Sequence, residues 1–439
     1  MITRFFDILS CVRLTMPCFA VQAASHNEYL PLERINILMH SSREGDSSAR
    51  SVRLLTVGVI MIIGTYGLLN SYQGVVLNRV VDSYRLTGSL QGLMPSLVNI
   101  GAVVAFLTAP LLQGRIKKTT LLLLGAGIIV LSFFLLGAGR VVTALIFASL
   151  LTGVGFGWVD ANCNAVMVDL HHDDSAKYLG FLHGGFGVGA LIAPILITAL
   201  LAFIDWHAVS YLFGAILAVA AVVFFLLLSA AKRGMPAPVA EQKLTLAGVK
   251  SFLFHRRNVL LLVSTMLYSV SQAGFLVWIV RYMTLQYNAE SLGSVALSLY
   301  WVFGTISRIF APRLKVRPLV LFLLGVILTC VFQAIGVLSA SAVVMCIAGA
   351  ATGLVSGHCV PMILSVANAD NPGNSSLISS SFLISIYATN SISSLVMGAL
   401  ASWTNLNVMM MLPAVSAAFA AIVVGIILRE EKAKQAALA

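Results

Sequence analysis

Charged residues are scarce in this chain. Asp, Glu, Lys and Arg make up 10% of its 439 residues, and 59% are hydrophobic. A soluble chain carries roughly 25% charged residues to cover its surface, so a water-soluble monomer is excluded. The six cysteines, Cys11, Cys18, Cys163, Cys330, Cys346 and Cys359, show no CxxC spacing. Four of them lie in apolar runs, where Cys behaves as a small hydrophobe. That argues against a disulfide framework or a metal site. Walker A loops, triad constellations and cofactor boxes are missing as well. The glycine row of HGGFGVGALIAP, residues 183–194, lacks the strand–loop–helix setting and acidic partner of a nucleotide fingerprint. Neither catalysis nor a cofactor is expected.

What the chain has instead is long apolar runs. Broken by polar clusters, they predict twelve spanning helices, each near the ~20 residues that a bilayer requires. The first is expected over 53–77 and the tenth over 341–366. The fold class that follows is an all-α membrane protein of twelve transmembrane helices in two six-helix repeats. Orientation follows from the bases. With both termini cytoplasmic, 23 of the 27 Lys and Arg fall on the inner side, leaving Arg79, Arg85, Arg140 and Arg281 outside. The net charge of +11 is therefore a topogenic signal and not a nucleic-acid footprint. The expectation is an inner (plasma) membrane protein, acting as a monomer.

The longest internal polar stretch, residues 231–256, separates six runs from six. It reads as a cytoplasmic linker between an N-terminal bundle (53–230) and a C-terminal bundle (257–428), with a short tail at 429–439. Residues 1–52 read as a cytoplasmic tail. The stretch MITRFFDILSCVRLTMPCFAVQAAS ends like a signal peptide, but Asp7 and Arg13 interrupt its apolar core. The alternative for this region is a mis-assigned start, with Met39 as the true first residue.

The two bundles repeat. LTGVGFG (151–157) and ATGLVSG (351–357) share TG followed by xxxG, in the fourth and tenth runs. APLLQGRIKKTTLLLLG (109–125) and APRLKVRPLVLFLLG (311–325) follow the second and eighth runs. Gly153 with Gly157, and Gly353 with Gly357, have the GxxxG spacing that lets helices pack closely. An upstream glycine, Gly101 or Gly304, accompanies each pair. Paired six-helix repeats are a transporter architecture, with the solute bound near the midplane between them.

Polar residues inside the runs mark the candidate site, because intramembrane charge is costly. GFGWVDANCNAVMVD (155–169) carries Asp160 and Asn164 four residues apart, on one helical face. Asn162 points elsewhere, and Asp169 reads as a solvated helix end. The first run has a stripe of Tyr66, Asn70 and Gln73 at i, i+4, i+7. The seventh carries Tyr268, Gln272 and Trp278, the tenth His358, and the eleventh Tyr387 and Asn390. Together they form an array of amides, aromatics, one acid and one histidine, suited to hydroxyls through the amides and acid and to sugar faces through the rings. His183, at the inner end of the fifth run, could titrate and gate. Arg308, near the inner end of the eighth, is expected to snorkel or pair with an acid between the fourth and fifth runs.

These residues resemble the major facilitator superfamily over roughly residues 53–428, and within it the fucose-permease-like branch of sugar transporters with its sodium–glucose relatives. QGRIKK resembles a degenerate form of the superfamily's G-x-x-x-D-R-x-G-R-R loop, without its acid. GFGWVDANCNAV is similar to the branch's G-x-G-x-x-[DE]-x-x-x-N in helix 4. FLHGGFGVGALIAP is similar to its helix 5, and WVFGTISR to its W-x-G-x-x-x-G-R helix 8. The resemblance implies that Asp160 contacts sugar and takes part in coupling to a proton or sodium ion, with Asn164 as its companion. His183 is a second expected coupling residue. Gln272 stands where relatives often carry Glu, and the first run offers Asn70 and no acid. This makes a uniporter an alternative.

The expected function is therefore a secondary transporter that moves a sugar or similar small polar solute by alternating access, coupled to a cation. An efflux antiporter for amphipathic compounds and a non-transporting solute sensor are the alternatives.

Overall fold

The computed structural model describes residues 32–112, 115–171, 174–231, 255–371 and 375–438. Most of the expected linker and the first 31 residues, with the start-site reading attached to them, lie outside these residues. Among the described residues, twelve helices are long and apolar enough to cross a membrane. They are α1 (Ala49–Ser83), α2 (Gly88–Ala109), α3 (Lys118–Ala138), α4 (Val142–Leu170), α5 (Lys177–Leu200) and α6 (Trp206–Ala231) in the first half. The second half holds α7 (Arg256–Tyr287), α8 (Glu290–Arg313), α9 (Pro318–Leu338), α10 (Ala342–Asp370), α11 (Ser380–Trp403) and α12 (Leu406–Ala436).

Two spans are not the single rods expected. The helix Leu32–Asn70 gives way to Tyr72–Ser83 at Ser71, whose hydroxyl turns away to donate to the Ala190 carbonyl of α5 at 3.1 Å. α10 breaks between Ser356 and Cys359, where Gly357 lies against α8. Breaks of this kind are tolerated in spanning helices when neighbouring elements take up the freed backbone groups.

Close packing follows the repeated glycines. A Cβ on Gly153 would lie 1.9 Å from the Val98 carbonyl oxygen, and one on Gly353 would lie 2.3 Å from that of Tyr300. A Cβ on Gly157 would meet Ala105 Cβ at 2.4 Å, and one on Gly357 the Gly304 oxygen at 2.2 Å. α4 thus rests on α2 as α10 rests on α8, backbone against backbone, where small residues let dispersion act at short range. The register shows which upstream residue each glycine meets. Gly101 faces Gly153, whereas it is Ala102 that faces Gly157 as Gly304 faces Gly357. The equivalent of Gly304 is therefore Ala102, not Gly101.

At the end of the bundle that carries the start of α1 and the end of α12, each of the two halves is tied in a matching place with different chemistry. Thr56 of α1 meets His171, just after α4, with 2.6 Å between Oγ1 and Nε2. In the second half Asn258 of α7 and Asn371, just after α10, exchange side-chain amide bonds of 3.1 and 3.0 Å. Asp169, expected as a solvated helix end, instead pairs with Lys118 at 3.0 Å, both side chains 16% exposed. The start of α3 packs close enough for this ion pair to form away from bulk water.

Candidate functional site

Asp160 lies ten residues before the end of α4 at Leu170, ~15 Å along a helix rising 1.5 Å per residue. It is half-buried. Its carboxylate accepts from Asn164 Nδ2 at 3.1 Å, and the same amide donates to the Asp160 carbonyl at 2.8 Å. The shared face read from the i, i+4 spacing is thus a direct contact. Asn162 turns to the Trp158 carbonyl and is fully buried. Among the described residues no basic side chain forms an ion pair with Asp160. Tyr66 of α1 and Tyr387 of α11 come within electrostatic range of it and of each other. The acid of one half thereby lies within electrostatic range of an aromatic hydroxyl from the other.

A row of rings extends from this point. Tyr66 packs edge-on to Phe156 at 4.9 Å and tilts against Phe186 of α5 at 5.3 Å. Phe186 meets Trp301 of α8 edge-to-face at 5.5 Å, crossing between the halves. Tyr387 crosses in the other direction, to Phe106 of α2 at 5.3 Å. Tyr66 and Tyr387 were legible as polar positions in apolar runs. Phe156, Phe186 and Trp301 gave no such signal, because an aromatic residue in a spanning helix is usually packing.

The second half supplies neutral polar groups. Gln272 is half-buried and donates to Tyr300 Oη at 3.1 Å, and Tyr300 lies 3.0 Å from Ser356 Oγ. Asn70 and Gln73 are half-buried on α1, and Asn390 of α11 is buried with its Oδ1 unpartnered among the described residues. His183 is exposed, within electrostatic range of Arg308.

Three further candidates have protein partners or deep packing. Tyr268 is fully buried and donates to the Ser356 carbonyl at 2.7 Å. His358 has both ring nitrogens engaged, Nδ1 with Ser307 Oγ at 2.9 Å and Nε2 with the Leu321 carbonyl at 3.2 Å. Trp278 is fully buried in the core of the helix packing. Arg308 donates to the Gly357 carbonyl at 3.1 Å and lies 5.8 Å over the Trp301 ring.

Polar ties between the halves gather at the end that carries the α1–α2 connection. Arg281 of α7 donates to Asn78 Oδ1 and Gln91 Oε1, each at 2.8 Å. Arg79 pairs with Glu290 at 3.1 Å. Ser96 and Ser391 hydroxyls are 2.8 Å apart, and Gln91 Nε2 donates to Ser402 Oγ at 2.7 Å. The backbones also close here: a Cβ on Gly92 would lie 1.9 Å from the Ser394 oxygen. Sequence reading placed Arg281 among the outer bases but not in a buried contact, since its partners belong to the other half.

Twelve apolar spans, glycine-packed repeats and a polar site between two halves define an integral membrane protein of the transporter type. The chain matches the family model of the Major Facilitator Superfamily over residues 55–332, and it belongs to that superfamily. No curated protein matches it. Among solved structures it is similar to a variant of the nucleoside transporter NupG, with TM-score 0.70, 12% identity, and coverage of 84% of this chain and 98% of that one. It is also similar to a POT family transporter in complex with a thioalcohol-conjugated peptide, with TM-score 0.67, 13% identity and coverage of 88% and 96%. An inward-facing, unoccupied bacterial homologue of the human lysosomal transporter Spinster gives TM-score 0.64, 13% identity and coverage of 86% and 96%. At these identities the likeness is one of fold.

Proposed function

We propose that this protein is a secondary active transporter that moves a sugar or similar small polar solute across the inner (plasma) membrane by alternating access, with a coupling proton or sodium ion bound at Asp160. The observation that carries the reading is the half-buried Asp160 carboxylate, held by Asn164 and facing tyrosines of both halves. A carboxylate without a basic partner in a low-dielectric setting is costly unless something positive or hydrogen-bonding reaches it. A coupling cation and solute hydroxyls supply both. His183, exposed near Arg308, is the second group in reach of a proton entering from the inner side. Asn70, Gln73, Gln272 and Asn390 supply neutral donors and acceptors for hydroxyls.

The clustering of cross-half bonds at one end supports a state in which that end, read as outer from the distribution of bases, is shut. Opening it would break those bonds while the inner end closes. The glycine-packed pairs α2–α4 and α8–α10 would move as parts of rigid bundles.

The test is uptake by proteoliposomes under an imposed ion gradient. Asp160→Asn keeps the size and hydrogen bonding of the side chain and removes its charge. Concentrative uptake is expected to vanish while solute exchange persists. Undiminished accumulation in the variant would remove Asp160 from coupling.

A further inference from the structure

Trp301 is buried, with 7% of its surface exposed, and its indole Nε1 has no partner among the described residues. The paired indoles of this chain set the contrast: Trp158 Nε1 donates to Thr108 Oγ1 at 3.2 Å and Trp206 Nε1 to Ser83 Oγ at 2.9 Å. Trp278 Nε1 is also unpartnered, but that residue makes no ring contact with the row leading from Asp160. A buried N–H without an acceptor forfeits the hydrogen bond it had with water, so an unpaired donor in a functional region calls for an explanation.

Its surroundings supply one. The Trp301 ring meets Phe186 of the opposite half at 5.5 Å and 74°, and Tyr300 at 6.0 Å and 85°. Through Phe186 and Tyr66 the ring row runs back to the neighbourhood of Asp160. Tyr300, beside it, is bonded to Gln272. Trp301 thus stands at the second-half end of a row of rings, in edge-to-face and tilted contact, whose first-half end is a carboxylate. Small-ligand sites combine mostly apolar walls with a few converging polar groups, and the unpaired Nε1 is such a group.

We propose that Trp301 is a specificity-determining residue: its Nε1 donates to an oxygen of a cyclic solute whose ring packs beside the Phe186–Trp301 contact. This rests on the transporter reading above. The shared chemistry is a ring bearing hydroxyl or carbonyl oxygens, which a pyranose and a nucleoside both offer. An acyclic polyol offers the oxygens without the ring.

The test uses the full-length purified protein and titration calorimetry with methyl β-D-glucopyranoside, uridine and sorbitol. At least one cyclic probe is expected to bind, and sorbitol is not. Trp301→Phe keeps a ring and removes the donor, so the cyclic probe should bind about tenfold more weakly. Trp301→Tyr, which restores a donor, should recover part of the loss. Trp403→Phe, at a residue 78% exposed, should bind like the parent. The melting temperature of each unliganded variant separates lost recognition from lost folding. Equal affinity in a folded Trp301→Phe, sorbitol binding as tightly as the rings, or no binding of either cyclic probe would each overturn the proposal. Ring binding that falls in Trp301→Phe, with no uptake of that probe into proteoliposomes, would uphold it and defeat the transport reading instead.

Discussion

Arg281 of α7 donates to the Asn78 side-chain oxygen of α1 at 2.8 Å, a bond from one six-helix half to the other. Arg281 is 6% exposed, its second bond goes to Gln91, and its Nε has no partner among the described residues. A buried cation held by two neutral amides is worth less than one held by a carboxylate, which suits a contact that would break in the alternating-access cycle proposed above. Arg281→Ala should therefore favour separation of the halves at this end. Spin labels at Phe203 and Trp403, 87% and 78% exposed, would report it. The more widely separated population should grow by about tenfold, taking ~1.5 kcal/mol for the lower bound of a hydrogen bond to a charged group. An unchanged distance distribution would show that Arg281 does not hold the gate.

Packing of α4 on α2 leaves no room at Gly153. A Cβ there would sit 1.9 Å from the Val98 oxygen, whereas one at Gly127 would meet nothing within 4 Å. Gly153→Ala should destabilise the protein by about 1–3 kcal/mol, the usual cost of overpacking. Gly127→Ala should be close to neutral. Thermal melting in detergent compares the two, and equal melting temperatures would refute the packing argument.

The last turns of α12 are tied to the start of α7 and the start of α9. Glu431 bonds to Arg257 at 2.7 Å and also to Arg317, while Arg257 keeps Asp370 at 2.5 Å. These side chains are 15–58% exposed, so solvent screens the attraction. Glu431→Gln should cost about 1 kcal/mol or less. The difference should disappear in 1 M salt, where the Debye length falls to about 3 Å. A salt-independent loss would point to packing instead.

His171 stacks on Tyr178 at 3.3 Å and meets Thr56 Oγ1 at 2.6 Å. Burial holds its imidazole below its usual value; Asp174 opposes this and Lys177 adds to it. A depressed histidine favours folding only while neutral. Its contribution is present above the free-imidazole value, about 6.5, and is lost as pH falls toward the lower folded value. The melting temperature should drop on acidification through this window, and His171→Gln should flatten the drop. An identical pH profile in the variant would remove His171 as its source.

Much of the fold was legible because a bilayer imposes strict requirements on sequence. Apolar runs long enough to span and glycine pairs in equivalent runs both follow from solvation and close packing. Asp160 and Asn164 were legible as partners because helical periodicity puts residues four apart on one face. Gly101 and Gly304 were legible as upstream glycines, but that Ala102 is the positional equivalent of Gly304 was not, since glycines in a sequence do not reveal which neighbour each one touches. Asp169 was misjudged because its partner, Lys118, is brought near only by the packing of α3 beside α4.

The sequence by itself determined the solvent of this protein, its twelve spans, its internal repeat and the one acid that lies deep in a span. Those properties depend on composition and local periodicity. Tertiary structure decided which polar groups are available. It engaged Tyr268 and His358 within the second half, turned Arg281 into a bond between halves, and aligned Phe186 with Trp301. The physical reason is that a hydrogen bond or ring contact between helices depends on their relative rotation and register. Neither is encoded in the hydropathy of any single helix.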